Sequence, residues 1–339
     1  MAGAASAASA ADRHRPHLPA APAVRLRAER RAGAALSPPP PWPSVGVVVP
    51  TRGRPRQLRA AISSILGQDY PGSIEVVIVF DGTQRDASLD GERVRTTTNA
   101  RSAGLAGTRN TGILAVGSDL VAFCDDDDLW LPGKLRAQVQ RLVAAPAADF
   151  ATCSVIVDYA GRSTVRLAAT DVVAHHRLVR SRMAMLHSST FVIRRSSLVG
   201  RLGLVDESIP GSQCEDWDLL LRASRERAIL HVDRPLVRVL WSDASYFARA
   251  WESKVASLQW MLARHPDIAA DRAGCARVHG QLAFAHAAMG ARRTALAWAG
   301  RSLARAPWEP RALLAMAVAA GLADSTAVLD ALHRRGRGI

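Results

Sequence analysis

Lysine is almost missing from this chain. It occurs twice in 339 residues, at Lys134 and Lys254, although Lys and Arg together number 44 against 30 acids, a formal net charge of +14. Nearly all the positive charge is arginine, spread over an alanine-rich sequence as a compositional bias rather than gathered in a patch. Aromatic residues make up only 5% of the chain, and no run interleaves them with basic residues in the way that stacks bases. The charge alone would suggest a nucleic-acid or membrane-surface protein. Without such a run, no nucleic-acid partner is expected.

Other absences narrow the classes further. The four cysteines, Cys124, Cys153, Cys214 and Cys275, are far apart. With no CxxC pair, a zinc site or redox motif is not expected, and a reduced, cytoplasmic setting is. Arg13 and Pro16 interrupt any signal-peptide core. The longest clean apolar run near the end, Ala312 to Ala323, is too short to span a bilayer as a helix. A P-loop would need GxxxxGK[ST], which "GKL" at 133–135 does not supply. No GxGxxG follows the first strand, where "PTRGRPR" stands. Nucleoside triphosphatases and dinucleotide enzymes both drop out.

What is present is enough apolar sequence, 48%, for one large α/β domain or such a domain with a smaller companion. Residues 1–43, rich in Ala, Arg and Pro and ending in "SPPPPWP", have no period and read as a disordered tail. Then "SVGVVVP" (44–50), "IEVVIVF" (74–80) and "LVAFC" (120–124) read as buried strands. Helices are expected between them, at 56–66 and 104–117. Continuous apolar strands alternating with helices predict an α/β fold with a mostly parallel central sheet covered on both faces. Right-handed crossovers then put the strand C-terminal ends on one edge, where ligands bind. Thr51-Arg52, Asp81-Gly82 and Asp125 to Asp128 fall there.

An acidic run is usually a solvated turn, but this one ends a buried strand at the ligand edge. Two carboxylates about 4 Å apart repel by about 1 kcal/mol in water and about 4 kcal/mol at an effective dielectric of 20. In a crevice they need a cation or a shared proton, and hard oxygen ligands select Mg²⁺ or Mn²⁺. A second acidic island lies in "GSQCEDWDLLLRAS" (211–224). Acids in the first turn of a helix favour its macrodipole, and a helix start can also position a base. Trp217 reads as core or as a ring that stacks on a ligand.

The blocks "VGVVVPTRGRPRQLRAAISSILGQ", "EVVIVFDGT", "GLAGTRNTGILAVGSDLVAFCDDDDLWLPGKL" and "EDWDLLLR", in that order, resemble an inverting family-2 glycosyltransferase. The resemblance runs from about Val45 to about Ser242. It implies a GT-A fold, with a nucleotide-binding half at 44–135 and an acceptor half at 136–243. It implies a nucleotide-sugar donor, expected to be a UDP-sugar, with Asp125 and Asp127 at the DxD positions. Asp127 becomes the expected metal ligand, and Asp125 and Asp126 fall on the donor side. Pro50, Thr51 and Arg52 match the loop against the nucleotide, and Asp81 matches the aspartate that contacts base and ribose. Many members carry a DD pair there; this chain has Phe80-Asp81. Arg109, in the helix-borne "RN" pair, reads as a donor contact or as a structural salt bridge. Asp216 matches the catalytic base and Glu215 its orienting neighbour.

"HSSTFVIRRSSL" (187–198) resembles the strand that precedes this site, and His187 reads as structural before it reads as a site residue. "LVRVLWSDAS" keeps Arg238 but lacks the histidine of many relatives, so no metal or phosphate contact is expected from that loop. The QxxRW signature of processive relatives is absent too, which implies addition of single sugars to a saccharide, lipid-linked or other hydroxyl acceptor. From about Tyr246 the chain becomes alanine-rich with helical spacing. Its middle segment resembles a tetratricopeptide-like hairpin, so 244–339 is expected to be a helical appendage. An arginine-rich amphipathic helix there would suit peripheral contact with the inner face of a membrane; plain packing is the simpler expectation. The competing readings are a nucleotidyltransferase or sugar-nucleotide pyrophosphorylase, and a degenerate sugar-binding relative.

Overall fold

β-Branched residues set the first strand, β1 (Val45–Thr51), every residue of which is buried. The computed structural model describes residues 42–241 and 250–338. Helix α1 (Pro55–Leu66) begins with proline at its first position, where the missing N–H costs nothing, and buries Leu58, Ala61, Ile62 and Ile65. Then come β2 (Ile74–Phe80), β3 (Val94–Thr98), α2 (Leu105–Ala115), β4 (Leu120–Phe123), β5 (Leu129–Trp130) and α3 (Lys134–Ala144). Helix α2 lies so close to β1 that a Cβ on Gly112 would sit 2.2 Å from Val48 Cγ1; only glycine permits that approach.

The second half adds β6 (Phe150–Tyr159), β7 (Arg162–Arg166), β8 (Val172–Val173), α4 (His175–Arg180), β9 (Val192–Arg194), α5 (Arg195–Val199), α6 (Glu215–Glu226) and β10 (Ile229–Leu240). The strands form one sheet in the order β3-β2-β1-β4-β9-β6-β10-β5, with β7 beside β6 and β8 beside β10. Strands β3, β2, β1 and β4 are mutually parallel, as the apolar runs predict. Beyond β4 the pairing is mixed: β9 is antiparallel to both its neighbours, and β6 and β10 are parallel. Alternate residues of β1 feed two cores. Val48 joins Val77, Phe123 and Ile113 on the α2 face. Val47 and Val49 join Ile78, Ile62 and Ile65 on the α1 face.

Six helices follow: α7 (Trp251–Arg264), α8 (Pro266–Ala270), α9 (Arg272–Ala288), α10 (Arg292–Leu303), α11 (Pro310–Ala319) and α12 (Ser325–His333). Helices α9, α10 and α11 pack through alanines, Ala283, Ala287, Ala295, Ala299, Ala312 and Ala315, which lets their axes approach closely. They belong to the same compact unit, 41–339, as the sheet. His265, fully buried, sets Nε2 2.9 Å from Asp218 Oδ1 of α6. At the far end α12 returns to the sheet, where Tyr159 donates to Asp330 at 2.9 Å. Most of the expected tail lies outside the described residues. Its last two residues are packed: Trp42 meets Tyr70 edge-on at 5.4 Å, and Tyr70 donates to the Pro43 carbonyl at 2.5 Å. Order therefore starts earlier than residue 44, because an aromatic ring just before β1 finds a partner after α1.

Candidate active site

The strand ends of β1, β2 and β4 and the N-terminus of α6 surround one cavity of about 880 Å³, within the range of small-molecule sites. Of the residues expected from sequence, Pro50, Thr51, Arg52, Asp81, Asp125, Asp126, Asp127, Glu215 and Asp216 all line it. Arg109 does not. It is 1% exposed. Its Nη2 donates to Asp125 at 2.7 Å and to Ser188 Oγ at 2.8 Å, and its Nη1 donates to Glu215. Burial in α2 turns it inward, and it joins the two acidic islands from behind.

Each acid of 125–128 has its own surroundings. Asp126 closes the loop after β1, accepting from Thr51 Oγ1 at 2.7 Å and from Arg54 at 3.2 Å. Burial pushes its carboxyl up all the same. Asp127 meets Arg54 Nη1 at 2.5 Å. Burial, and then the charges of Asp128 and Asp125, push it up to about 7. Asp128 is 1% exposed, accepts from Ser189 Oγ at 2.5 Å and lies 3.2 Å from His187 Nδ1. Burial opposes charge on the His187 imidazole, but Asp128 and Asp125 outweigh it and raise His187 to about 9. Burial likewise opposes ionisation of Asp125, and Arg109 and His187 overcome it, holding Asp125 below its ordinary value.

At β2, Asp81 accepts from Asn99 Nδ2 at 2.9 Å and from the Gly104 amide at 3.1 Å, and so orders the turn into α2. Asn110, the partner of Arg109 in the "RN" pair, donates to the Val205 carbonyl at 2.8 Å and to Glu207 at 2.6 Å. It fixes the loop that leads to α6. Asp216 opens α6, where the helix dipole favours acids. Arg182 Nη2 makes both contacts to it, at 2.9 and 2.7 Å. Burial works against its charge, but Arg182, with His187 and Arg109, keeps Asp216 below its ordinary value. Glu215 is the opposite case: burial and the neighbouring Asp216 raise it. Trp217 is core, its Nε1 donating to the Leu178 carbonyl at 2.9 Å.

Arg54, Arg182, Ser188 and Glu207 also line the cavity and were not anticipated. Arg54 sits in "TRGRPR" beside residues that were. Arg182 comes from an irregular segment, where periodicity carries no information. His187 faces the cavity as well. The atoms of Asp125, Asp128 and His187 that could bind a cation lie within 4.8 Å of one another, whereas Asp127 turns to Arg54. Two carboxylates and an imidazole offer oxygen and nitrogen donors suited to a divalent cation, provided His187 gives up its proton.

The sheet and its cavity are those of a GT-A fold. The chain is similar in fold to S. aureus TarS 1–349 in complex with UDP-GlcNAc, with a TM-score of 0.54 at 16% identity over 87% of this chain and 92% of that one. Residues 46–200 match the family model described as Glycosyl transferase family 2. Over 104 residues the chain is 28% identical to the Escherichia coli UDP-Glc:alpha-D-GlcNAc-diphosphoundecaprenol beta-1,3-glucosyltransferase WfgD, covering 29% of this chain and 41% of that protein. Over 119 residues it is 30% identical to the Campylobacter jejuni GalNAc(5)-diNAcBac-PP-undecaprenol beta-1,3-glucosyltransferase, covering 33% and 38%. The aligned part is under half the length of each of these two relatives. The family match takes in a little under half of the chain, most of its sheet-forming part, which is thus similar to glycosyl transferase family 2.

Proposed function

We propose that this protein transfers a single sugar from a nucleotide sugar, a UDP-sugar first among candidates, to an acceptor hydroxyl with inversion and with the help of a divalent cation. The observation that carries the reading is the meeting of both acidic islands on one cavity at the strand-end edge. Asp81 and the Pro50–Arg52 loop take the nucleoside. Asp125 and Asp128, with His187 once it has given up its proton, would hold Mg²⁺ or Mn²⁺, and Asp127 would join them by leaving Arg54; the ion would offset the charge of the leaving diphosphate. Asp216, ionised at neutral pH, accepts the proton of the acceptor hydroxyl as its oxygen attacks the anomeric carbon. The bond to the donor phosphate breaks on the opposite face, and its electron pair leaves with the nucleoside diphosphate. Glu215 holds Arg109, which keeps Asp125 and Asp216 in fixed relation.

The relatives named above act on diphosphoundecaprenol-linked sugars, which supports a lipid-linked acceptor for this chain. Among the described residues no helix is long and apolar enough to cross a membrane. Peripheral contact at the inner, cytoplasmic face of a membrane belongs to the same reading. It is supported by Trp308 and Leu322, 85% and 83% exposed on the arginine-rich helical region. The test is a calorimetric titration of UDP with and without Mn²⁺, followed by hydrolysis of a panel of nucleotide sugars. Mn²⁺-dependent UDP binding and turnover of one donor are expected. Absence of nucleotide binding with the ion present would contradict the reading.

A further inference from the structure

Two arginines answer the acids of 125–128, and they are held in opposite ways. Arg109 is fixed from three sides: it is 1% exposed and bonds Asp125, Glu215 and Ser188. Arg54 is held by one atom. Its Nη1 donates to Asp126 at 3.2 Å and to Asp127 at 2.5 Å. Its Nε and Nη2 make no hydrogen bond among the described residues, and its side chain is 34% exposed. Arg54 reaches the acids from the turn after β1, where Gly53 takes a φ of +74° with open space around it. Its side chain makes no cap bond to α1, and it lines the same cavity as Pro50, Thr51 and Arg52. One guanidinium thus borders both the acids and the loop that the functional reading gives to the nucleoside.

Its two partners differ in what they lose without it. Asp126 keeps Thr51 Oγ1 at 2.7 Å and the Arg52 amide at 3.4 Å. Asp127 takes no other hydrogen bond among the described residues, and burial and the charges of Asp128 and Asp125 weigh against its ionised form. A carboxylate so placed needs a cation, and here that cation is Arg54. A divalent ion seated on Asp125 and Asp128 competes with Arg54 for Asp127, since like charges a few ångströms apart repel.

We propose that Arg54 is an exchangeable counter-cation, which holds Asp127 until a divalent ion arrives with the nucleotide and then turns its guanidinium to the donor diphosphate. The proposal rests on the metal-assisted reading and adds the residue that makes ion and nucleotide bind together. Arg54 on Asp127 opposes an ion that enters alone. A diphosphate offers the guanidinium a second anion, with oxygens that fit its fork, and Asp127 is released to the ion. Such coupling is reciprocal: UDP strengthens the binding of the ion by the factor by which the ion strengthens UDP.

The test is Mn²⁺ binding by the full chain, followed by electron paramagnetic resonance with and without UDP, together with calorimetry of UDP at saturating Mn²⁺. Arg54→Gln should bind Mn²⁺ alone about tenfold more tightly than the wild type, the scale of the repulsion between a unit charge and a divalent ion across a side chain in water. It should bind UDP about tenfold or more weakly, the loss of one hydrogen bond to a charged group. A residue that only shapes the loop would move both affinities the same way. Arg54→Lys keeps the charge and loses the fork, so it should hold Mn²⁺ affinity at the wild-type value and still weaken UDP; it decides the matter if Arg54→Gln does not fold. Weaker Mn²⁺ binding in either variant, unchanged Mn²⁺ binding in Arg54→Gln, or unchanged UDP affinity in both overturns the proposal. If wild type and variants alike bind no Mn²⁺ with or without UDP, the metal reading fails and takes the proposal with it. If UDP strengthens Mn²⁺ binding equally in all three proteins, the proposal fails alone.

Discussion

The two acidic islands, 125–128 and 215–218, follow one plan. In each, one acid is bound to the same buried cation: Asp125 and Glu215 both take Arg109. In each, an acid facing the cavity meets a partly exposed arginine, Asp127 with Arg54 and Asp216 with Arg182. In each, the last acid is buried beside a histidine, Asp128 with His187 and Asp218 with His265. The difference lies in charge. Asp127 is raised to about 7 by burial and like neighbours, whereas Asp216 stays below its ordinary value. A crowded carboxylate wants a cation; a well-paired one stays ionised at neutral pH. Similar residues thus acquire different roles from the charges around them.

The largest effect is expected at Asp216. Asp216→Asn keeps the shape and removes the base, so transfer should fall by about 10²- to 10⁴-fold in a steady-state assay with an unchanged melting temperature. A near wild-type rate would end the comparison at once. Next is the shared cation. Arg109→Met leaves Asp125 and Glu215 buried without it, and losing one partner of a buried pair costs about 3–5 kcal/mol. Denaturant unfolding should show that loss, and the surviving folded protein should lose UDP binding and transfer together. A variant as stable as the wild type would mean that the islands stand independently.

His265→Ala tests the third pairing. It removes the hydrogen bond that ties α6 to the helical region and leaves Asp218 with Arg222 alone. A loss of about 1–3 kcal/mol is expected, with UDP affinity retained. Loss of UDP affinity in a folded variant would join the helical region to the donor site and blur the contrast. The smallest effect concerns acid stability. Burial opposes charge on Glu207, but Asn110, Ser102 and Arg101 together pull it down to about 2. A depressed carboxyl stabilises the fold fully above its unfolded value near 4.3, and this is lost as pH falls toward 2, where the unfolded chain binds the extra proton. Glu207→Gln should flatten the stability curve between pH 5 and 2 by on the order of 1 kcal/mol after solvent screening. An unchanged curve would show that Glu207 does not brace the loop.

Much of the site was legible because it sits where strands end. The runs before Thr51, Asp81 and Asp125 announce buried strands by composition, and parallel topology brings their ends to one edge. The polar strand β3, "VRTTT", went unseen because only Thr96 of its residues is buried, so an edge strand beside β2 leaves little apolar signal. The sequence leaves Arg109 between two roles, since helical spacing gives a face but not which acids lie across it. Arg182 was missed entirely, because its position depends on how an irregular segment meets α6. The link from His265 to Asp218 joins residues 47 apart, and no local pattern reports it.

The most direct test of the division between islands is UDP binding by Asp127→Asn and Asp216→Asn, titrated side by side with and without Mn²⁺. Neither substitution touches Arg109, whose partners are Asp125 and Glu215, so the frame behind the islands stays intact in both. The expected result is that Asp127→Asn loses most of the Mn²⁺-dependent gain in affinity while Asp216→Asn binds UDP as the wild type does. Equal weakening in the two variants would contradict the account, since both islands would then serve one metal site.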